Sequence, residues 1–150
     1  MTASTELVIG DANAEHLVIR ALSRSHPNLF DHGAGNWIAC EIEVHAGGFL
    51  GRFPADLRAE DFSAFMEEAE ALGMTLDGSA SFSTLEGQIT FSLATDGRGQ
   101  LRVRGKASDA SGSDNRLDFG FDIDQTYVPQ ICGALQVLVT AFPVVGATEP

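Results

Sequence analysis

A chain of 150 residues with 44% hydrophobic and 20% charged side chains has the size and composition of one globular domain. Such a domain can bury roughly 70% of its unfolded surface and needs neither disulfide nor metal to hold a core. Nine lysines and arginines stand against 21 aspartates and glutamates, a formal charge of −12 that repels phosphate backbones and argues against nucleic acid as a partner. No apolar run approaches the ~18 residues of a membrane span, residues 1–5 carry no secretory signal, and a cytoplasmic location is expected.

In chain order, residues 6–9 and 16–22 are β-prone runs joined by the turn signal Gly10-Asp11-Ala12-Asn13, an N-terminal hairpin. Residues 23–35, with Pro27, Asn28, Asp31, Gly33 and Gly35, read as a surface loop. From 36 to 46 the two-residue period puts Ile38, Cys40, Ile42 and Val44 on one face and Glu41, Glu43 and His45 on the other. Gly47-Gly48 turns the chain into a strand over 49–53, with Phe49 and Phe53 on one side and Pro54 as its end. Residues 58–72 carry Phe62, Phe65, Met66, Ala69 and Leu72 at helical spacing, with Asp56 as the predicted N-cap and Gly73 as the predicted left-handed terminator.

A meander follows, over 80–84, 88–95, 101–106 and 117–124, with Asp96-Gly97-Arg98-Gly99 as a tight hairpin connection. Ile89, Phe91 and Leu93 share one face of their strand. Leu101 and Val103 alternate with Arg102, Arg104 and Lys106; Leu117, Phe119, Phe121 and Ile123 alternate with Asp118, Asp122 and Asp124. If both apolar sets face a core, opposed residue numbers sum to an even value. A sum of 222 sets Arg104 against Asp118, whereas 224 sets Arg102 against Asp122 and Lys106 against Asp118. Either register pairs opposite charges, worth about 0.2–1 kcal/mol each.

The last helix, 128–142, has Asp124 or Thr126 as its cap, Pro129 in the first turn and Pro143 as its stop. Ile131, Leu135, Leu138, Val139 and Phe142 form its stripe, which Val128, Cys132 and Val137 widen. A helix this apolar is either well buried or partly engaged in a homodimer. The predicted class is therefore α+β: an antiparallel sheet of about seven or eight strands with two helices, in one domain over 1–150 with loose ends at 1–5 and 144–150. No internal repeat is visible.

Groups able to do chemistry are sparse. His26, Asp31 and His32 in the long loop match no zinc spacing. Glu41, Glu43 and His45 could hold a divalent ion or exchange protons, but polar residues alternating on a solvated strand face are the commoner origin of that pattern, and Asp118, Asp122 and Asp124 read the same way. Gly97-Arg98-Gly99 joins strands rather than opening a helix, and no nucleophile elbow is present. Cys40 and Cys132 lie among apolar neighbours in different elements, read as free buried thiols without a sequence-adjacent activator. No catalytic residue, cofactor site or metal site is predicted.

Four short patterns carry a resemblance: Asn36-Trp37-Ile38 opening a strand, Gly48-Phe49-Leu50-Gly51 after it, Asp124-Gln125-Thr126-Tyr127 before the last helix and Ala141-Phe142-Pro143 closing it. Together, over residues 36–143, they resemble the WapI-like immunity proteins and related bacterial domains. The resemblance implies a small bacterial protein that binds and neutralises a toxin through surface complementarity, and it supplies no binding residues. Charge agrees, since a nuclease toxin is basic and an acidic blocker is steered to it. The expected partner-binding surface comprises Trp37, Glu41, Glu43, His45, Asp122 and Asp124, although Trp37 also reads as a packing anchor and Asp124 as a helix cap. The alternative is a small-molecule binder or enzyme with a pocket between sheet and helices, lined by some of the ten phenylalanines.

Overall fold

Eight β-prone segments, most of them alternating apolar and polar residues, form strands, and the computed structural model, which describes residues 5–146, arranges them as two separate sheets. Strands β1 (Thr5–Gly10), β2 (His16–Arg24), β3 (Trp37–Ala46) and β4 (Phe49–Arg58) form the first sheet in that order, and α1 (Ala59–Thr75) follows. Strands β5 (Ser79–Phe82), β6 (Ile89–Thr95), β7 (Gln100–Ser108) and β8 (Arg116–Asp124) form the second, followed by a short 3₁₀ turn and α2 (Val128–Ala141). All pairings are antiparallel between sequence neighbours. The fold is thus one unit, four strands and a helix, built twice. The sequence shows no repeat because the two halves share topology rather than side chains.

The inner faces of both sheets and both helices feed one apolar cluster. The alternating segment from β6 to β8 forms a single pleated surface, with Phe91, Leu93, Val103, Phe119 and Phe121 buried on its inner side. Opposed numbers on β7 and β8 sum to 224: Arg102 faces Asp122, with an ion pair at 3.2 Å, and Lys106 faces Asp118. Gly105 lies between Phe91 and Phe119, and a side chain there would strike the Phe119 ring, so the ring occupies the space that glycine leaves. The helices pack on each other, α1 also against β5 and α2 also against β1.

Several predicted boundaries move. Pro54 does not end β4, which continues to Arg58; β4 is an edge strand, where a residue without an N–H is tolerated. The buried Gln88 side chain donates from Nε2 to the Pro54 carbonyl (3.1 Å) and the Ser108 carbonyl (3.4 Å), tying that edge to the second sheet. Asp56 is therefore a strand residue, and the start of α1 is closed by Asp61, whose carboxylate accepts from the Arg58 backbone N–H (2.9 Å) and from Arg58 Nη2 (3.1 Å). Gly73 lies inside α1, where a Cβ would meet Val128 Cγ1 of α2 at 3.1 Å; it permits close helix approach, and Leu76 (φ +51°) takes the left-handed position instead. Ser23 and Arg24 extend β2 past a bulge between Ala21 and Ser23, shortening the predicted loop. The predicted cap of the last helix shifts by one turn: the Asp124 carboxylate accepts from Thr126 N–H (2.9 Å) and caps the 3₁₀ turn over Gln125–Tyr127, whereas α2 itself starts after Tyr127 with no side-chain cap.

Asn36, fully buried, fastens the long loop to the C-terminal segment. Its side chain donates to the carbonyls of His32 (2.9 Å) and Val145 (3.0 Å) and accepts from Val145 N–H (2.7 Å). Arg24 donates to the Gly35 carbonyl (2.8 Å) and to that of Pro143. Of the ends expected to be loose, 1–5 and 144–150, Thr5 pairs with Ala21 in β1 and Val145 is held by Asn36, while 1–4 and 147–150 lie outside the described residues. Asn36→Ala would leave three backbone groups without a partner and should cost about 1–2 kcal/mol. Urea unfolding measures that loss, and faster amide exchange at Val145 should accompany it; an unchanged midpoint would contradict the fastening role.

Candidate functional site

Residues 41, 43 and 45 project from the outer face of the first sheet, where the register aligns them with neighbours on β2 and β4. Glu43 is only 8% exposed because basic side chains close over it. Its carboxylate accepts from His16 Nε2 (2.7 Å), Arg52 Nη2 (2.6 Å) and Arg20 Nη1 (3.4 Å). Arg20 also reaches Glu41 (2.9 Å) and Glu6 (3.2 Å). His16 Nδ1 faces the Ala14 carbonyl at 2.8 Å, and a carbonyl can only accept. With a carboxylate on its other nitrogen, the ring donates from both and is an imidazolium. Three carboxylates, Glu6, Glu41 and Glu43, therefore meet three cations, Arg20, Arg52 and His16. The charge of this face is balanced.

The titration behaviour follows. Hydrogen bonds from His16 and Arg52, with the nearby arginine charges, pull Glu43 down to about 2 against the cost of burial. Burial works against a charged His16, but the hydrogen bonds to Glu43 and to the Ala14 and Asp11 carbonyls outweigh it and raise its pKa. His45 donates from Nδ1 to the same Ala14 carbonyl (3.1 Å) and meets the His16 ring edge-on.

The other predicted surface residues lie apart from this network. Trp37 sits at the opposite end of β3, facing Arg58. Asp122 and Asp124 lie on the outer face of the second sheet, the former paired with Arg102 and the latter capping the turn before α2. Carboxylates without an ion-pair partner among the described residues include Glu67, Glu68 and Glu70, all exposed on α1, which helical spacing placed off the apolar stripe.

Among the described residues no three histidine, cysteine or acidic side chains gather as a metal site would require. Burial, then the Asp56 charge, pushes the Cys40 thiol up to about 12; Cys132 is raised by burial and Glu70. Neither is an activated nucleophile. Among the described residues, recesses of about 300–440 Å³ open on sheet surfaces and loops, and no residue of either helix lines these four. They are not the pocket between sheet and helices that a small-molecule reading anticipates. No described helix is long and apolar enough to cross a membrane.

The fold is thus an α+β unit of four antiparallel strands and a helix, built twice, with an ion-pair network on the outer face of its first sheet. The chain belongs to the Immunity protein WapI-like family, whose profile matches residues 8–143. Among solved structures it is similar to MRP1/MRP2 of Trypanosoma bruciei, at 10% identity and TM-score 0.49, covering 95% of this chain and 88% of that one. A guide-RNA-binding protein complex bound to a gRNA gives 9% identity and TM-score 0.49, covering 93% and 91%. The CdiA-CT/CdiI toxin and immunity complex from Enterobacter cloacae gives 7% and 0.43, covering 90% of this chain and 99% of that one. No curated protein sequence matches the chain.

Proposed function

We propose that this chain neutralises a protein toxin in the bacterial cytoplasm by binding it, without acting on it chemically. Family membership across residues 8–143 carries the reading. The side chains support it: Glu41, Glu43 and His16, which could exchange protons, are engaged in an ion-pair network, and the pKa of both thiols is raised. The formal charge of −12 favours a basic partner such as a nuclease domain. Because Glu41 and Glu43 are neutralised by arginines, the long-range attraction arises from uncompensated carboxylates such as those of α1.

If a toxin domain is encoded beside this chain, coexpression of the two should restore growth of cells that the toxin alone arrests. The association rate of the purified pair should fall at least about tenfold between roughly 50 and 300 mM salt. Failure to protect against any neighbouring toxin would end the immunity reading. A rate indifferent to salt would remove the basic character of the partner.

A further inference from the structure

Of the four motifs that resemble the immunity family, three are absorbed by the fold. Asn36 fastens the loop and tail, Asp124 caps the turn before α2, and the segment after Ala141 ends α2 and is held by Arg24. The second, Gly48-Phe49-Leu50-Gly51, has no such internal duty. Gly47 (φ +58°) and Gly48 form a two-residue connection, and β4 then presents Phe49 and Leu50 at 68% and 67% exposure. Adjacent large apolar side chains this exposed are unusual for a strand tip unless another surface covers them.

The hairpin tip also overhangs a recess. A hollow of about 300 Å³ separates the start of β4 from the facing ends of β7 and β8, with Val44, Phe53 and Leu117 in its apolar lining. Its polar edge holds Asp109 and Arg116. Asp109 accepts from Asn115 Nδ2 (3.1 Å), and its pKa is lowered by Ser113 and then Asn115. An apolar hollow beside two projecting hydrophobes and a charged edge has the composition of an interface centre with its polar rim.

We infer that this hairpin and hollow are where the toxin docks, an inference that rests on the immunity reading and names its surface. The occupant is a basic protein that inserts an apolar side chain between Phe49 and Leu117 and sets a lysine or arginine against Asp109. The −12 of the whole chain steers a basic partner towards it, and Asp109 at the rim offers that partner a counter-charge.

The test uses the full chain and the toxin domain against which the wild type protects cells. Phe49→Ala and Leu50→Ala should each weaken binding roughly 30-fold, the level of an interface hot spot, with unchanged melting temperature because both side chains face solvent. Asp109→Asn should slow association and leave dissociation nearly unchanged. Leu22→Ala, also exposed on β2 but away from the hollow, should leave affinity unaltered. Full affinity in both apolar variants, while the wild type still protects, would overturn the docking site and leave the immunity reading standing. A wild type that binds no toxin would overturn both. Light scattering showing that these residues instead join two copies of this chain would also overturn the proposal.

Discussion

Replacing Phe82 by alanine should destabilise the protein by about 3–5 kcal/mol and lower its melting temperature by roughly 10 °C. Phe82 is fully buried on β5, and its ring centroid lies 5.5 Å from Phe62, 5.7 Å from Phe65 and 5.2 Å from Phe91. Phe62 and Phe65 come from α1 and Phe91 from β6, so this one ring joins the first half's helix to the second half's sheet. Alanine would lose both the transfer free energy of the ring and the contacts of three aromatic neighbours that cannot close the gap without unpacking α1. Phe82→Leu, which keeps most of the volume, should cost less than half as much. Equilibrium urea unfolding distinguishes these outcomes; equal losses for alanine and leucine would mean that the cluster is not packed as described.

Glu43→Gln should cost about 2–3 kcal/mol near pH 6, because the amide leaves Arg52, Arg20 and charged His16 without their common counter-charge. The pH dependence identifies the cause. A folded-state pKa of about 2, below the ordinary 4.5, makes the ionised carboxylate a stabilising group whose contribution is complete above pH ~4.5 and is lost as the pH falls towards 2. Allowing for partial solvent screening, that loss is roughly 2 kcal/mol. His16 has the opposite sign: its raised pKa contributes stability below the ordinary 6.5, and this is lost as the pH rises through the folded value. The difference in stability between wild type and variant should therefore be largest between about pH 4.5 and 6.5 and shrink on both sides. A constant difference from pH 3 to 8 would show that the network contributes by packing alone.

Much of the architecture was legible from pattern. The two-residue alternation identified β3 and the strands from β6 to β8, helical spacing located α1 and α2, and the charge rows on β7 and β8 reduced the register to two choices, one of which is observed. Boundaries were less legible. Pro54 and Gly73 are breakers by intrinsic preference, yet a sheet edge tolerates the first and a neighbouring helix explains the second. The expected acidic face was legible only as residue types. Glu41 and Glu43 were correctly set on one side of β3, but the arginines that neutralise them come from positions 20 and 52 on other strands. The signal existed in retrospect, as a basic residue on the polar side of each flanking strand.

Taken alone, the order of residues determined which side chains face inward, where the chain turns and how acidic the whole is, because these depend on near neighbours and on sums. Tertiary structure decided that the eight strands divide into two sheets, that two halves of unlike sequence repeat one topology, and that Phe49 and Leu50 stand uncovered beside a hollow. Those outcomes depend on which distant segments pack together, and packing between distant segments leaves no period along the chain.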